Sequence, residues 1–154
     1  MRLLLAVVWL LFGLLQLGCS NNNDRALVEA ALSGNLSGVQ ALVKSGANIE
    51  ATALDGLTPL DAAAKQGQLD TIQYLLKSGA AVNGTQHTDR TPLGLAIIYE
   101  HTDCAQLLLS RGGELRGTME WKHGLLETLK RDNKTQLAAI VEAQISHAEQ
   151  SPRS

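Results

Sequence analysis

The chain has 154 residues, enough for one compact domain and not two. Hydrophobic residues make up 45% of it but aromatics only 3%. A core must therefore be built from Leu, Ala, Val and Ile, which suits packed helices better than a β-sandwich. A net charge of −2 with no block of like charge excludes the electrostatic footprint of a nucleic-acid binder. Two cysteines, Cys19 and Cys104, are too few for a disulfide framework or a cysteine-built metal site.

Residues 1–18 read as an export signal. Met1-Arg2 supplies the positive start, an apolar run from Leu3 to Leu15 is broken only by Gly13, and the run closes at Gln16-Leu17-Gly18-Cys19. The run is shorter than the roughly 20 apolar residues that a membrane span needs. Gly18-Cys19 resembles the end of a bacterial lipobox, although Gln16 stands where Leu is usual and Leu17 is bulkier than the usual small residue. The resemblance implies lipidation of Cys19 and anchoring at the periplasmic face of a bacterial membrane. The alternative is a soluble periplasmic or secreted protein with an incidental cysteine. Ser20 resembles the residue that lets such lipoproteins pass to an outer membrane. Residues 19–24, with the polar run Ser20-Asn21-Asn22-Asn23-Asp24, then form a tether. Loss of residues 1–18 removes Arg2 and no acid, leaving 12 basic and 15 acidic side chains and a net charge of −3.

From about residue 25 onward the chain repeats itself. Ser45-Gly46-Ala47-Asn48-Ile49 returns as Ser78-Gly79-Ala80-Ala81-Val82 and again as Arg111-Gly112-Gly113-Glu114-Leu115, so Gly46, Gly79 and Gly112 step by 33. Thr58-Pro59-Leu60 returns 33 residues on as Thr91-Pro92-Leu93. Leu42-Val43, Leu75-Leu76 and Leu108-Leu109 keep the step, as do Ala30, Ala63 and Ala96. Thr58 and Thr91 can cap helices whose first residues are Pro59 and Pro92. Leu60 with Ala63, and Leu93 with Ala96, share one face of their helix, the alanines being small where neighbouring helices approach. Gly67 closes the first helix of its unit in a left-handed conformation. A second helix carries the stripe Ile72, Leu75 and Leu76, Gly79 closes it, and the turn Asn83-Gly84 leads to the next unit. Helices this short do not hold themselves; stacking must bury their stripes as one core.

The 33-residue period and the run Asp55-Gly56-Leu57-Thr58-Pro59-Leu60-Asp61-Ala62-Ala63 resemble the ankyrin repeat, a β-turn followed by two helices. The resemblance implies an all-α solenoid of four helix-turn-helix units joined by short β-hairpin turns, spanning 25–147. Residues 148–154 form a disordered tail. Two units are full and two are atypical caps. The first has Arg25-Ala26 in place of Thr-Pro, and the last has Gly124-Leu125-Leu126 while keeping Leu129, Leu137, Ile140 and Val141 in step. Asp61 and Gly94 replace the His that usually follows Thr-Pro-Leu, which alters the hydrogen bonding between repeats. Glu100 stands where a glycine usually separates the helices, at some cost in strain.

The sequence offers little chemistry. His101 sits between helices at a position where the resemblance implies a structural His. His147 is near the chain end, and His87 and His123 fall on successive hairpin tips. No two histidines lie at ligand spacing. Cys104 opens a second helix and reads as a small buried hydrophobe rather than a nucleophile. No phosphate loop or nucleophile elbow is present. Sequons at Asn35, Asn83 and Asn133 are coincidental in a bacterial lipoprotein, and Asn83 is the turn residue. The expectation is a protein that is not an enzyme and needs no cofactor or metal.

The resemblance to ankyrin repeats also implies where a partner binds: on the concave face made by the hairpin tips and the exposed ends of the first helices. Carried over unit by unit, it assigns Leu54, Asp55, Leu57, Lys65 and Gln66, then His87, Thr88, Arg90, Ile98 and Tyr99, then Glu120, Trp121, His123, Arg131 and Asp132. The first unit adds only Leu32 and Ser33. Apolar residues exposed there, Tyr99 and Trp121 above all, are what binding hot spots favour; the alternative is that Trp121 and Leu57 fold back on their own hairpins. Tyr74, on a second helix, and Trp9, in the signal, are not contact residues. The expected partner is one protein, bound by a monomer that touches the membrane only through its anchor and binds no nucleic acid. Small exported ankyrin proteins of bacteria resemble two groups: immunity proteins that neutralise a periplasm-acting toxin, and accessories of catalase or peroxide resistance. Immunity is preferred here, because a small anchored domain with an apolar groove suits a tight blocker.

Overall fold

In a computed structural model the described residues are 20–53, 55–84 and 90–150. Cys19, Leu54, His87, Thr88, the signal segment and residues 151–154 lie outside them. Among the described residues eight helices follow one another in pairs: α1 (Ser20–Leu32) and α2 (Leu36–Lys44), α3 (Pro59–Lys65) and α4 (Leu69–Lys77), α5 (Pro92–Ile98) and α6 (Thr102–Ser110), α7 (Met119–Arg131) and α8 (Thr135–Gln150). Among the described residues no strand occurs; the units are joined by turns.

The helix starts follow from capping chemistry. Thr58 accepts the Asp61 N–H at 3.1 Å, and the Asp61 carboxylate accepts the Thr58 N–H at 3.0 Å, a complete capping box ahead of Pro59. Thr91 accepts the Gly94 N–H at 3.1 Å, and Asn35 accepts the Gly38 N–H at 2.9 Å to start α2. The turn inside each unit needs a left-handed residue. Gly67 fills it at φ +70°, whereas Glu100 at +61° and Asn133 at +59° fill it against the preference of residues with a Cβ. Sequence reading anticipated that strain at Glu100 but not at Asn133.

Packing explains the apolar step. Within each unit the paired helices lie against each other, and between units α1 packs on α3, α3 on α5, and the second helices follow in the same order. Leu60, Ala63, Leu93 and Ala96 are all 1% exposed or less where the first helices meet, and Ile72, Leu75 and Leu108 fill the layer beneath. One device that the pattern only hinted at ties each unit to its neighbour. The backbone N–H groups of Asn48, Ala81 and Glu114, themselves 33 apart, are each taken by a side chain of the preceding unit. The acceptors are Asp24 at 2.7 Å, Glu50 at 2.7 Å and Asn83 at 2.7 Å. His101 likewise bonds the Lys65 carbonyl across the unit boundary at 3.0 Å, which is the structural role expected of it.

Both ends differ from the expected boundaries. Helix α1 begins at Ser20, inside the stretch read as a tether, and Asp24 is engaged with the second turn of the stack through Asn48. Helix α8 runs on to Gln150, past residue 147, although its buried stripe of Leu137, Ile140, Val141 and Ile145 ends before that point. The larger departure is in the last unit. Its first helix is capped by Thr118, which accepts the Trp121 N–H at 3.2 Å, not at Gly124 where the 33-residue step would place the cap. Six extra residues lengthen α7 by about 9 Å at 1.5 Å per residue.

Candidate partner-binding groove

The long α7 replaces the hairpin tip of its unit. His123 is therefore on a helix, with Nδ1 2.9 Å from the Met119 carbonyl, rather than on a tip as the sequence suggested. Leu57, also expected on the contact face, is 4% exposed and belongs to the core, so no partner can reach it. It packs inward because the Asp55 carboxylate accepts its backbone N–H and folds the turn over it.

What remains exposed and apolar converges. Among the described residues the exposed large hydrophobic side chains are Ile98 (48%), Tyr99 (47%) and Trp121 (39%). All three line one groove of about 590 Å³ between the end of α5 and the start of α7, completed by Leu95, Arg90, Arg116, Gly117 and Thr118.

The groove exists because α5 and α7 do not close on each other. Whereas α3 lies against α1 and α5, no comparable contact joins α5 to α7, whose partner is α8. Ala63 and Ala96 permit the earlier close approach, and the residue one step on is Leu129. The edge of α5 that α7 leaves uncovered becomes one wall.

The other wall is positioned by backbone. Gly117 holds φ +117°, and a Cβ there would lie 2.7 Å from Trp121 Cε3, so the indole rests over a backbone that only glycine leaves open. On the far side Lys65 Nζ stands 5.6 Å from the centroid of the Tyr99 ring, close enough for a cation–π contact that restrains the ring.

The other expected contact residues among the described ones fall outside the groove. Asp55, Gln66 and Glu120 are exposed, and Glu120 points elsewhere although it precedes Trp121. Arg131 and Asp132 pair with each other at 3.0 Å, the bond holding Arg131 above and Asp132 below its ordinary pKa. Leu32 is half-buried and Ser33 exposed at the other end of the stack. Arg116 and Gly117 were missed by the 33-residue alignment because it put the cap of α7 six residues too late, and Leu95 because it is a buried residue of α5 that reaches the groove only as its lining.

Chemical alternatives find little to work with. Cys104 is 2% exposed, and burial first, then the Asp103 carboxylate, push its thiol up to about 11, which suits packing and not nucleophilic attack. Among the described residues no group of three or more His, Cys, Asp or Glu could hold a metal ion.

Paired antiparallel helices, stacked in 33-residue units with a groove along the first helices, define the class as a helical-repeat binding module. The family model for ankyrin repeats, in 3 copies, matches residues 27–118, and the chain belongs to the ankyrin-repeat family. Curated proteins provide no match. The match stops at Thr118, the residue that caps α7, so among the described lining residues of the groove Trp121 is the one that lies beyond it.

Proposed function

We propose that the chain is an exported protein-binding module, anchored through a lipidated Cys19, that holds one protein partner in the α5–α7 groove. One observation carries the binding reading: Ile98, Tyr99 and Trp121, the exposed large hydrophobics of the described surface, meet in a single groove. Apolar residues scattered singly over a surface need no explanation, but their convergence beside arginine does. The ankyrin-repeat family membership agrees with a protein partner. Export rests on the charge, apolar run and cysteine of residues 1–19. The partner on this reading is a toxin acting in the periplasm, which makes the chain its immunity protein.

The test is affinity capture from envelope extract on the tagged chain, beside a Tyr99→Asp, Trp121→Asp variant shown to be folded by circular dichroism. One protein held by the parent and lost by the variant is the expected result. The same protein held equally by both would remove the groove from consideration. A [³H]palmitate label lost in Cys19→Ser would support the anchor, and an unlabelled parent would refute it.

A further inference from the structure

We infer that the groove takes an acidic segment of its protein partner, one that seats an aromatic or branched aliphatic side chain between Tyr99 and Trp121 and sets a carboxylate against Arg116. The inference rests on the protein-binding reading above and adds the partner's chemistry to it.

The argument begins with charge. The protein is net negative, yet among the described residues that line the groove the charged ones are Arg90 and Arg116, with no acid. Lys65 adds a third cation beside the Tyr99 ring. Arg90 has an interaction of its own within the chain, so the weight falls on Arg116. Arg116 is half-buried, and the four ion pairs among the described residues leave it out. Removing a guanidinium from water is costly unless a counter-charge meets it, and its planar fork of donors fits a carboxylate in bidentate fashion.

Shape sets the rest. At about 590 Å³ the groove lies within the range of ligand clefts, roughly 300–1,000 Å³. It admits one or two side chains with their backbone rather than a whole domain face. Its floor and walls are Leu95, Ile98, Tyr99 and Trp121, so the inserted side chain is apolar. Two lining arginines in an otherwise acidic protein are far too few to hold a nucleic-acid backbone.

Short random peptides displayed on phage are the probe, selected on the full chain and counter-selected on the Tyr99→Asp, Trp121→Asp variant. Retained peptides should carry Trp, Phe, Leu or Ile flanked by Asp or Glu. A synthetic copy of one should bind about tenfold more weakly to Arg116→Glu, and more weakly in high salt. Replacing its acids by Lys should recover binding to Arg116→Glu. Neutral or basic winners, no retained peptide, or an acidic peptide indifferent to Arg116→Glu would each overturn the inference. The two readings fail separately. Peptides that survive the counter-selection but are indifferent to Arg116→Glu leave the groove standing and remove its preference for acid, whereas loss of every binding peptide to the counter-selection removes the groove itself.

Discussion

Replacing Thr58 by Ala tests the idea that each helical unit is held by its cap as well as by its apolar stripe. The Thr58 hydroxyl does two things inside the core, where the residue is 1% exposed: it accepts the Asp61 N–H at 3.1 Å and donates to the Asp61 carboxylate at 2.8 Å. Loss of an N-cap costs about 1 kcal/mol. Loss of a hydrogen bond to a buried charged group costs about 1.5–3 kcal/mol, and the missing methyl about 0.8 kcal/mol. Together these give a destabilisation of about 3–5 kcal/mol. With a urea slope of about 2 kcal/mol per molar, the midpoint should fall by roughly 1.5–2.5 M. Thr58→Ser keeps the hydroxyl and should lose only the methyl contribution, about 0.8 kcal/mol. Thr91→Ala should fall between them, since the Thr91 hydroxyl donates to the neutral Glu114 carbonyl at 2.7 Å rather than to a carboxylate. Far-UV circular dichroism against urea measures all three. Equal shifts for Thr58→Ala and Thr58→Ser, or a Thr58→Ala loss below about 1 kcal/mol, would show that the hydroxyl is not what holds the unit.

Four further outcomes follow from the same structure. Asp61 is 3% exposed with Oδ1 unpartnered, and burial above all, against the Thr58 hydrogen bonds, raises its pKa over the ordinary 3.8. Its contribution to stability is therefore full below that value and lost as pH rises through the folded pKa, so Asp61→Asn should gain on the parent between about pH 4 and about pH 7 in urea midpoints. A pH-independent difference would refute this. Gly67→Ala should destabilise by more than Gly46→Ala: both need a positive φ, at about 1–2 kcal/mol, but a Cβ on Gly67 would also lie 2.5 Å from His101 Nδ1 while one on Gly46 meets nothing within 4 Å. Thermal melts compare them, and equal losses would count against the packing. Gly117→Ala should weaken partner binding at least tenfold without altering any groove side chain, by displacing Trp121; unchanged affinity in a binding titration would count against that positioning role. Cys104 should resist a thiol reagent in the native protein and react at once in urea, as peptide mass spectrometry can report; fast native labelling would contradict its burial.

Much of this architecture is local and therefore legible in the chain. The repeated Gly46, Gly79 and Gly112, the Thr58-Pro59 and Thr91-Pro92 starts, and the Leu and Ala stripes each encode a cap, a turn or a face through near neighbours. They are sufficient for the helical pairs, the stack and the family. The same step of 33 misled at the last unit, because Thr118 offered a better cap six residues ahead of the aligned Gly124. Whether a residue faces a partner or the core is another matter. Leu57 and Trp121 were both expected on the contact face, yet one is buried by the Asp55 turn and the other sits in the first turn of α7, held outward over Gly117. The groove itself is a tertiary fact. It opens where α7 does not close on α5, and it assembles Leu95, Tyr99, Arg116 and Trp121 from segments whose meeting depends on helix spacing, which no local pattern carries.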